Sequence, residues 1–161
     1  MKRTSLLFLL LLLLSMKAFA QVRRSTEEKE ILLKVQQFFD ALEKQDTVLF
    51  NSILLTDGQA WAISERENSV KYSMREFDDF GKTLINPARI IQERMLSSEV
   101  KIHKRIAMAW IPYTLDISGK FSHCGIDIFT LFKTSEGWKI ATAAYTIEQD
   151  CSFSRQVRNN K

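Results

Sequence analysis

Between Ser25 and Leu42 the apolar residues recur at helical spacing, and from Ile90 to Gln149 they alternate as strands do. That change of period restricts the fold more than any other feature of the chain. Ser25-Thr26-Glu27-Glu28 has the Ser-x-x-Glu form of a capping box, and Ile31, Leu32, Val35, Phe38, Phe39 and Leu42 then mark one face of a helix ending near Lys44-Gln45. Asp46 can cap a short second helix carrying Val48, Leu49, Ile53 and Leu54. Thr56-Asp57-Gly58 reads as a break, and Gln59 to Arg66 as a strand around Trp61 and Ile63. Ser73 can cap a third helix with Met74, Phe77, Phe80 and Leu84 on one side, ended by Asn86-Pro87.

The remainder reads as four strands: Ile90 to Ile102, Ala107 to Leu115, Phe121 to Lys133 and Trp138 to Gln149. Ser118-Gly119 and Ser135-Glu136-Gly137 punctuate the last three, so two consecutive hairpins are expected. Pro112 inside a strand predicts a bulge, because it cannot donate to a ladder. Helices first and an antiparallel meander last is an α+β pattern.

The first twenty residues are an address. Lys2 and Arg3 precede an unbroken apolar run from Leu6 to Leu14, and Ala18-Phe19-Ala20 offers small residues where a signal peptidase reads. The run is shorter than the about 20 residues a membrane span needs. Residues 1–20 are expected to be a signal peptide cleaved after Ala20, 21–150 the domain and 151–161 a tail, in a protein exported to the periplasm or medium without a stable membrane anchor. N-terminal sequencing of the exported protein should begin at Gln21, and an intact Met1 would refute cleavage.

Removing that segment leaves 20 Lys+Arg against 19 Asp+Glu, so the basic pI belongs mostly to the signal. A nearly neutral domain lacks the electrostatic footprint of a nucleic-acid binder, and none is expected as a partner. Arg155, Arg158 and Lys161 read as a solvated terminus. The two cysteines, Cys124 and Cys151, would meet an oxidising compartment and are expected to pair. With only two histidines, His103 and His123, no zinc spacing arises, and no metal or other cofactor is expected.

A two-residue turn at Glu136-Gly137 would pair Ser135 with Trp138 and set which side chains share a face. One face would then carry His123, Asp127, Phe129, Leu131, Trp138, Ile140, Thr142 and Thr146. The other would carry Cys124, Ile126, Ile128, Phe132, Ala141, Ala143, Tyr145 and Ile147, with Cys151 on the same face as Cys124. The Trp138 face is assigned to the interior, since a large aromatic beside a turn needs a core. The other is too apolar to leave bare and predicts a homodimer through Ile126, Ile128, Ala143 and Tyr145.

The order of elements over residues 27–149 resembles the nuclear-transport-factor-2-like (NTF2-like, or SnoaL-like) superfamily. The resemblance rests on the first helix, the short second, Asp57-Gly58 before Trp61, the third helix, and Glu136-Gly137-Trp138-Lys139-Ile140 in the closing hairpin. The Gly119-Lys120-Phe121-Ser122-His123-Cys124-Gly125 segment is similar to that of exported bacterial members. It implies a cone-shaped α+β fold, three N-terminal helices packed on a curved antiparallel sheet, with a cavity inside. The superfamily includes isomerases, dehydratases, epoxide hydrolases and cyclases as well as non-enzymatic modules, so fold alone assigns no reaction.

The expected cavity is lined by Phe38, Trp61, Trp110, His123, Asp127, Phe129 and Thr142. Asp127 shielded among aromatics would have its charged form disfavoured, which makes a general acid or base. His123 and Asp127 are therefore candidates for catalysis or ligand orientation; the alternative is a hydrogen-bonded pair supporting the sheet with Thr142 or Thr146. Asp57 is a further catalytic candidate, since the resemblance places a carboxylate base there, but Asp-Gly is also a turn signal. Phe38 and Phe39 stand where isomerase-like members need a tyrosine. The function expected is an exported small-molecule-binding or dimeric interaction module; the alternative is a cofactor-free dehydratase, isomerase or hydrolase using Asp127 and His123. Tyr113 enters the cavity only if its turn is one residue longer.

Overall fold

Ser25 starts the first helix by accepting the Glu28 amide on its hydroxyl, at 3.1 Å. The computed structural model describes residues 24–66 and 69–152, so residues 1–20, expected to be a signal peptide, and the basic residues beyond 152 lie outside the described residues. Helix α1 (Thr26–Lys44) buries Ile31, Leu32, Val35, Phe38, Phe39, Ala41 and Leu42 and ends at Gln45 in the left-handed region. Asp46 caps α2 (Thr47–Ile53) through the Leu49 amide. Strands β1 (Leu54–Arg66) and β2 (Ser69–Glu76) follow, then α3 (Phe77–Lys82), β3 (Ile91–Met95), β4 (Glu99–His103), β5 (Ile106–Ile117), β6 (Lys120–Thr134) and β7 (Gly137–Ile147).

The strands form one sheet in the order β2-β1-β7-β6-β5-β3, with β4 also pairing β5. It is mixed rather than purely antiparallel, because β1 runs parallel to β7. The helices cover its inner face. Phe38 links them to the sheet: its ring lies 5.4 Å from Phe50 and 5.3 Å from Phe129. Trp138 is buried as expected, with the Lys133 ammonium 5.6 Å from its ring centre.

Four local expectations are corrected. The third helix starts at Phe77, not Ser73, because Ser69–Glu76 pairs with β1 and turns Val70, Tyr72 and Met74 outward at strand period. Thr56-Asp57-Gly58 is no chain reversal but an irregular stretch within β1, where pairing to β7 jumps from Leu54↔Ile140 to Gln59↔Thr142. Gly58 is needed for contact: a Cβ there would sit 2.5 Å from the Phe77 ring and 2.7 Å from the Ala141 carbonyl oxygen.

The third correction is that the run from Ile90 to Ile102 makes two strands, not one. β3 ends opposite Tyr113 and β4 begins opposite Trp110. Pro112 lies between, and its carbonyl accepts the Leu96 amide at 2.8 Å. Its nitrogen has no hydrogen to return, so the neighbouring strand breaks instead of the proline strand bulging. The fourth is that the last turn is Ser135-Glu136, with Thr134 paired to Gly137 and Gly137 at φ 98° just after the turn.

Cys124 and Cys151 form a disulfide with a Cα–Cα distance of 6.0 Å and a sequence separation of 27. The chain-entropy relation gives it about 3.5 kcal/mol of stability. Reduction, or Cys124→Ser with Cys151→Ser, is therefore expected to lower the unfolding free energy by about 3 kcal/mol in urea titrations. Thiol labelling of unreduced, denatured protein should find no free thiol; two labelled cysteines would refute the bridge.

Candidate functional site

Two one-residue bulges determine what faces the interior. Around Ser122 the β5–β6 pairing shifts from Asp116↔Phe121 to Leu115↔His123. On β7 it shifts between Leu131↔Ile140 and Thr130↔Thr142, leaving Ala141 as the extra residue. Each extra residue exchanges the two faces beyond it. The first bulge brings Tyr113 inward and turns Trp110 out; the second brings Ala143, Tyr145 and Ile147 inward and turns Thr142 and Thr146 out.

The result is a cavity of about 250 Å³ between α1, α3 and the inner sheet face. Phe38, Leu42, Phe80, Ile91, Leu115 and Ile147 supply its apolar wall. Its polar groups are Glu93, Asp127, Tyr113, Tyr145, His123, Arg75 and Arg89. Two cross-strand rows organise them: Glu93–Leu115–His123 and Ile111–Asp127–Tyr145.

Between those rows lies Tyr113, paired with Gly125. The Tyr113 hydroxyl crosses Gly125 and donates to the Thr146 carbonyl at 2.6 Å. The freed Ile126 amide donates instead to the Thr146 hydroxyl, at 3.0 Å, which donates to Glu148 at 2.7 Å. Gly125 thus leaves room between His123 and Asp127 for the Tyr113 ring and the Thr146 carbonyl.

Asp127 is only 4% exposed, and its carboxyl meets the Glu93 carboxyl at hydrogen-bond range, a contact that needs a proton on one of the two. Loss of hydration raises its pKa well above the usual carboxylate range, and the facing Glu93 carboxyl raises it further. Glu93 as a residue is partly exposed, but its carboxyl group is enclosed, and burial pushes it up to about 8. The two titrate as a pair, and at neutral pH the pair holds at least one proton.

Burial, followed by these two acids, also raises Tyr145. His123 is lowered, by burial first and by Arg89 second. Its Nδ1 lies 3.0 Å from the Ser122 hydroxyl, and its ring meets Tyr113 edge-on at 5.8 Å.

Of the residues expected in the cavity, Phe38, His123 and Asp127 line it. Phe129 lies beneath it, fully packed against Phe38 and Phe39. Trp61 and Trp110 are corrected to the outer face, where they are 38% and 39% exposed. Thr142 and Asp57 line a separate open groove with Phe132 and Gln59, so Asp57 is remote from the acid pair. The sequence reading singles out none of Glu93, Arg75 and Arg89, and it places Tyr145 on the outer face, which the structure corrects. Alternation counted from Leu115 would have placed Glu93 inside only with the pairing of β3 to β5 already known.

This is an α+β cone with an acid-lined internal cavity. It is similar to an NTF2-like superfamily protein from Salmonella enterica serovar Typhimurium, at TM-score 0.60 and 14% identity over 79% of this chain and 94% of that one. An NTF2-like protein from Cytophaga hutchinsonii matches at TM-score 0.63 and 8% identity, over 76% of this chain and 99% of that one. A Streptomyces avermitilis protein, provisionally titled a dehydratase of the NTF2-like family, matches at 0.58 and 14% identity, over 76% and 96%. The fold is the NTF2-like one. No family model matches the sequence, and no curated protein matches it.

Proposed function

We propose that this chain is an exported member of the NTF2-like superfamily that binds a small, mostly apolar molecule in its cone cavity and works as a homodimer. The observation that carries the binding reading is the buried Asp127 carboxyl facing Glu93 in the lining of a mostly apolar cavity. A carboxyl pair that shares a proton keeps free acceptor lone pairs, and when both acids are protonated a free donor, so a ligand hydroxyl or carbonyl can bond there. Native mass spectrometry of the exported protein should find a retained small molecule. NMR titration with benzyl alcohol should perturb Ala143, Tyr145 and Leu115; unperturbed cavity signals would refute the reading.

Export is supported by the signal-like N-terminus and the disulfide. Among the described residues no helix is long and apolar enough to cross a membrane.

Dimerisation is supported by the outer sheet face, where Trp61, Ile63, Tyr72, Met74, Trp110 and Phe132 are exposed. Ala143 and Tyr145 drop out of that surface because they face inward. Such a continuous apolar area is unusual on a monomer. Trp61→Glu combined with Ile128→Lys should convert dimers to monomers in sedimentation experiments; wild type sedimenting as a monomer at high concentration would end the idea.

A second reading, a cofactor-free dehydratase or isomerase, is favoured by the acid pair itself. A carboxyl that holds a proton at neutral pH can give it to a leaving oxygen, and its carboxylate can take one from carbon. His123, held neutral, can assist. On this reading Asp127→Asn abolishes turnover while binding persists; as a pure binding module, the same change alters affinity by about tenfold, with no turnover to lose.

A further inference from the structure

Arg75 and Arg89 are both exposed residues that line the cavity whose inner end holds Asp127. They are the cavity's mouth, and they differ in how they are held. The Arg75 guanidinium donates to the Asp79 carbonyl and the Thr83 hydroxyl and lies 4.8 Å from the Phe80 ring centre. The Arg89 guanidinium makes no hydrogen bond or ion pair among the described residues, although its backbone is fixed. Its amide donates to the Asn86 carbonyl, and Gln45 brackets Asn86 through its amide and carbonyl at 2.9 and 2.6 Å. Ser118 donates to the carbonyls of Ile90 and Ala88 on the other side. A placed, unpaired guanidinium therefore stands over an apolar cavity.

Charge within the cavity is unbalanced in the same sense. The only acidic side chains among its lining residues are Glu93 and Asp127, which keep at least one proton between them. Two arginines outweigh the single charge the acids can carry. Guanidinium matches carboxylate geometry with two parallel N–H donors, which makes an organic acid the fitting counter-charge.

We propose that the cavity takes a small organic monoanion, its carboxylate on Arg89 and Arg75 at the mouth and its hydroxyl or carbonyl at Asp127 and Glu93 inside. This rests on the binding reading above and assigns its ligand class. A cavity of roughly 150 Å³ accommodates benzene, so the 250 Å³ here admits one ring with a short polar arm. The Phe38, Leu42 and Phe80 walls contact the ring.

The test uses a matched panel: benzoate, phenylacetate, mandelate and 3-phenylpropionate, each beside its primary amide, titrated into the mature protein by NMR. At least one acid is expected to bind about ten times more tightly than its amide, with shifts at Ala143 and Tyr145. Arg89→Gln should bring that ratio towards one by weakening the acid much more than the amide, since the charge-assisted pair is made with the carboxylate alone. Arg75→Gln should reduce the ratio in part.

The proposal is overturned if amides bind as well as every acid, or if the preference survives in both arginine variants. Amides and benzyl alcohol binding as tightly as the acids would leave the binding reading standing alone. Cavity signals unmoved by every probe would remove both readings together.

Discussion

Between pH 5 and 8.5 the protein is expected to lose about 2 kcal/mol of stability relative to a Glu93→Gln, Asp127→Asn variant. In the folded protein both carboxyls sit above their ordinary values, Glu93 at about 8. In the unfolded chain they release their protons near 4. Through the interval the native state binds more protons, so stability falls as pH rises. The contribution is complete below the unfolded values and is lost as pH rises through the folded ones.

The full shift of Glu93 would correspond to more than 2 kcal/mol, but the residue is partly exposed and the cavity opens to solvent, which screens the pair. His123 works with the opposite sign: its lowered pKa makes stability rise with pH through the range of an ordinary histidine. Comparison with the double variant cancels that term, because both proteins keep His123. Urea titrations at several pH values measure the difference. Parallel curves for the two proteins would show that neither carboxyl holds a proton unusually.

Gly125→Ala is expected to destabilise the protein by about 3 kcal/mol, more than Tyr113→Phe. A Cβ at residue 125 would lie 2.0 Å from the Thr146 carbonyl oxygen and 2.8 Å from the Tyr113 ring. The first obstacle is backbone in the adjacent strand, so no side-chain rotation relieves it. Tyr113 must also withdraw from its 2.6 Å bond to that carbonyl. Tyr113→Phe removes only the bond and leaves one carbonyl unpaired, a loss of about 1–2 kcal/mol. In the alanine variant Tyr113, which lines the cavity, must shift, so affinity for cavity probes should fall along with stability. A Gly125→Ala protein within 0.5 kcal/mol of wild type would mean that the strand relaxes freely there.

Local chemistry made much of the fold legible. Ser25 and Asp46 cap helices because their side-chain oxygens reach amides three residues on. Ser118-Gly119 forms the expected two-residue turn, since both residues adopt positive φ. Trp138 and the Cys124–Cys151 pair also lie as expected. His123 and Asp127 could be read as inward-facing because they flank Gly125 at strand period on the same side as Phe129.

What the sequence by itself determined, then, was the Ser25 and Asp46 caps, the Ser118-Gly119 turn, the amphipathic face of α1, and the inward side of β6. Only the tertiary structure decided which neighbours those side chains meet. The bulges at Ser122 and Ala141 exchange inside for outside along β5 and β7, and that is why Trp110 and Thr142 left the cavity while Tyr113 and Tyr145 entered it. Glu93 comes from the middle of β3, Arg75 from the end of β2 and Arg89 from the loop before β3, and they join Asp127 around one cavity only when the sheet and α3 close around it. A strand's period is two, so one extra residue reverses a face, and no local pattern records whether the partner strand supplies that residue.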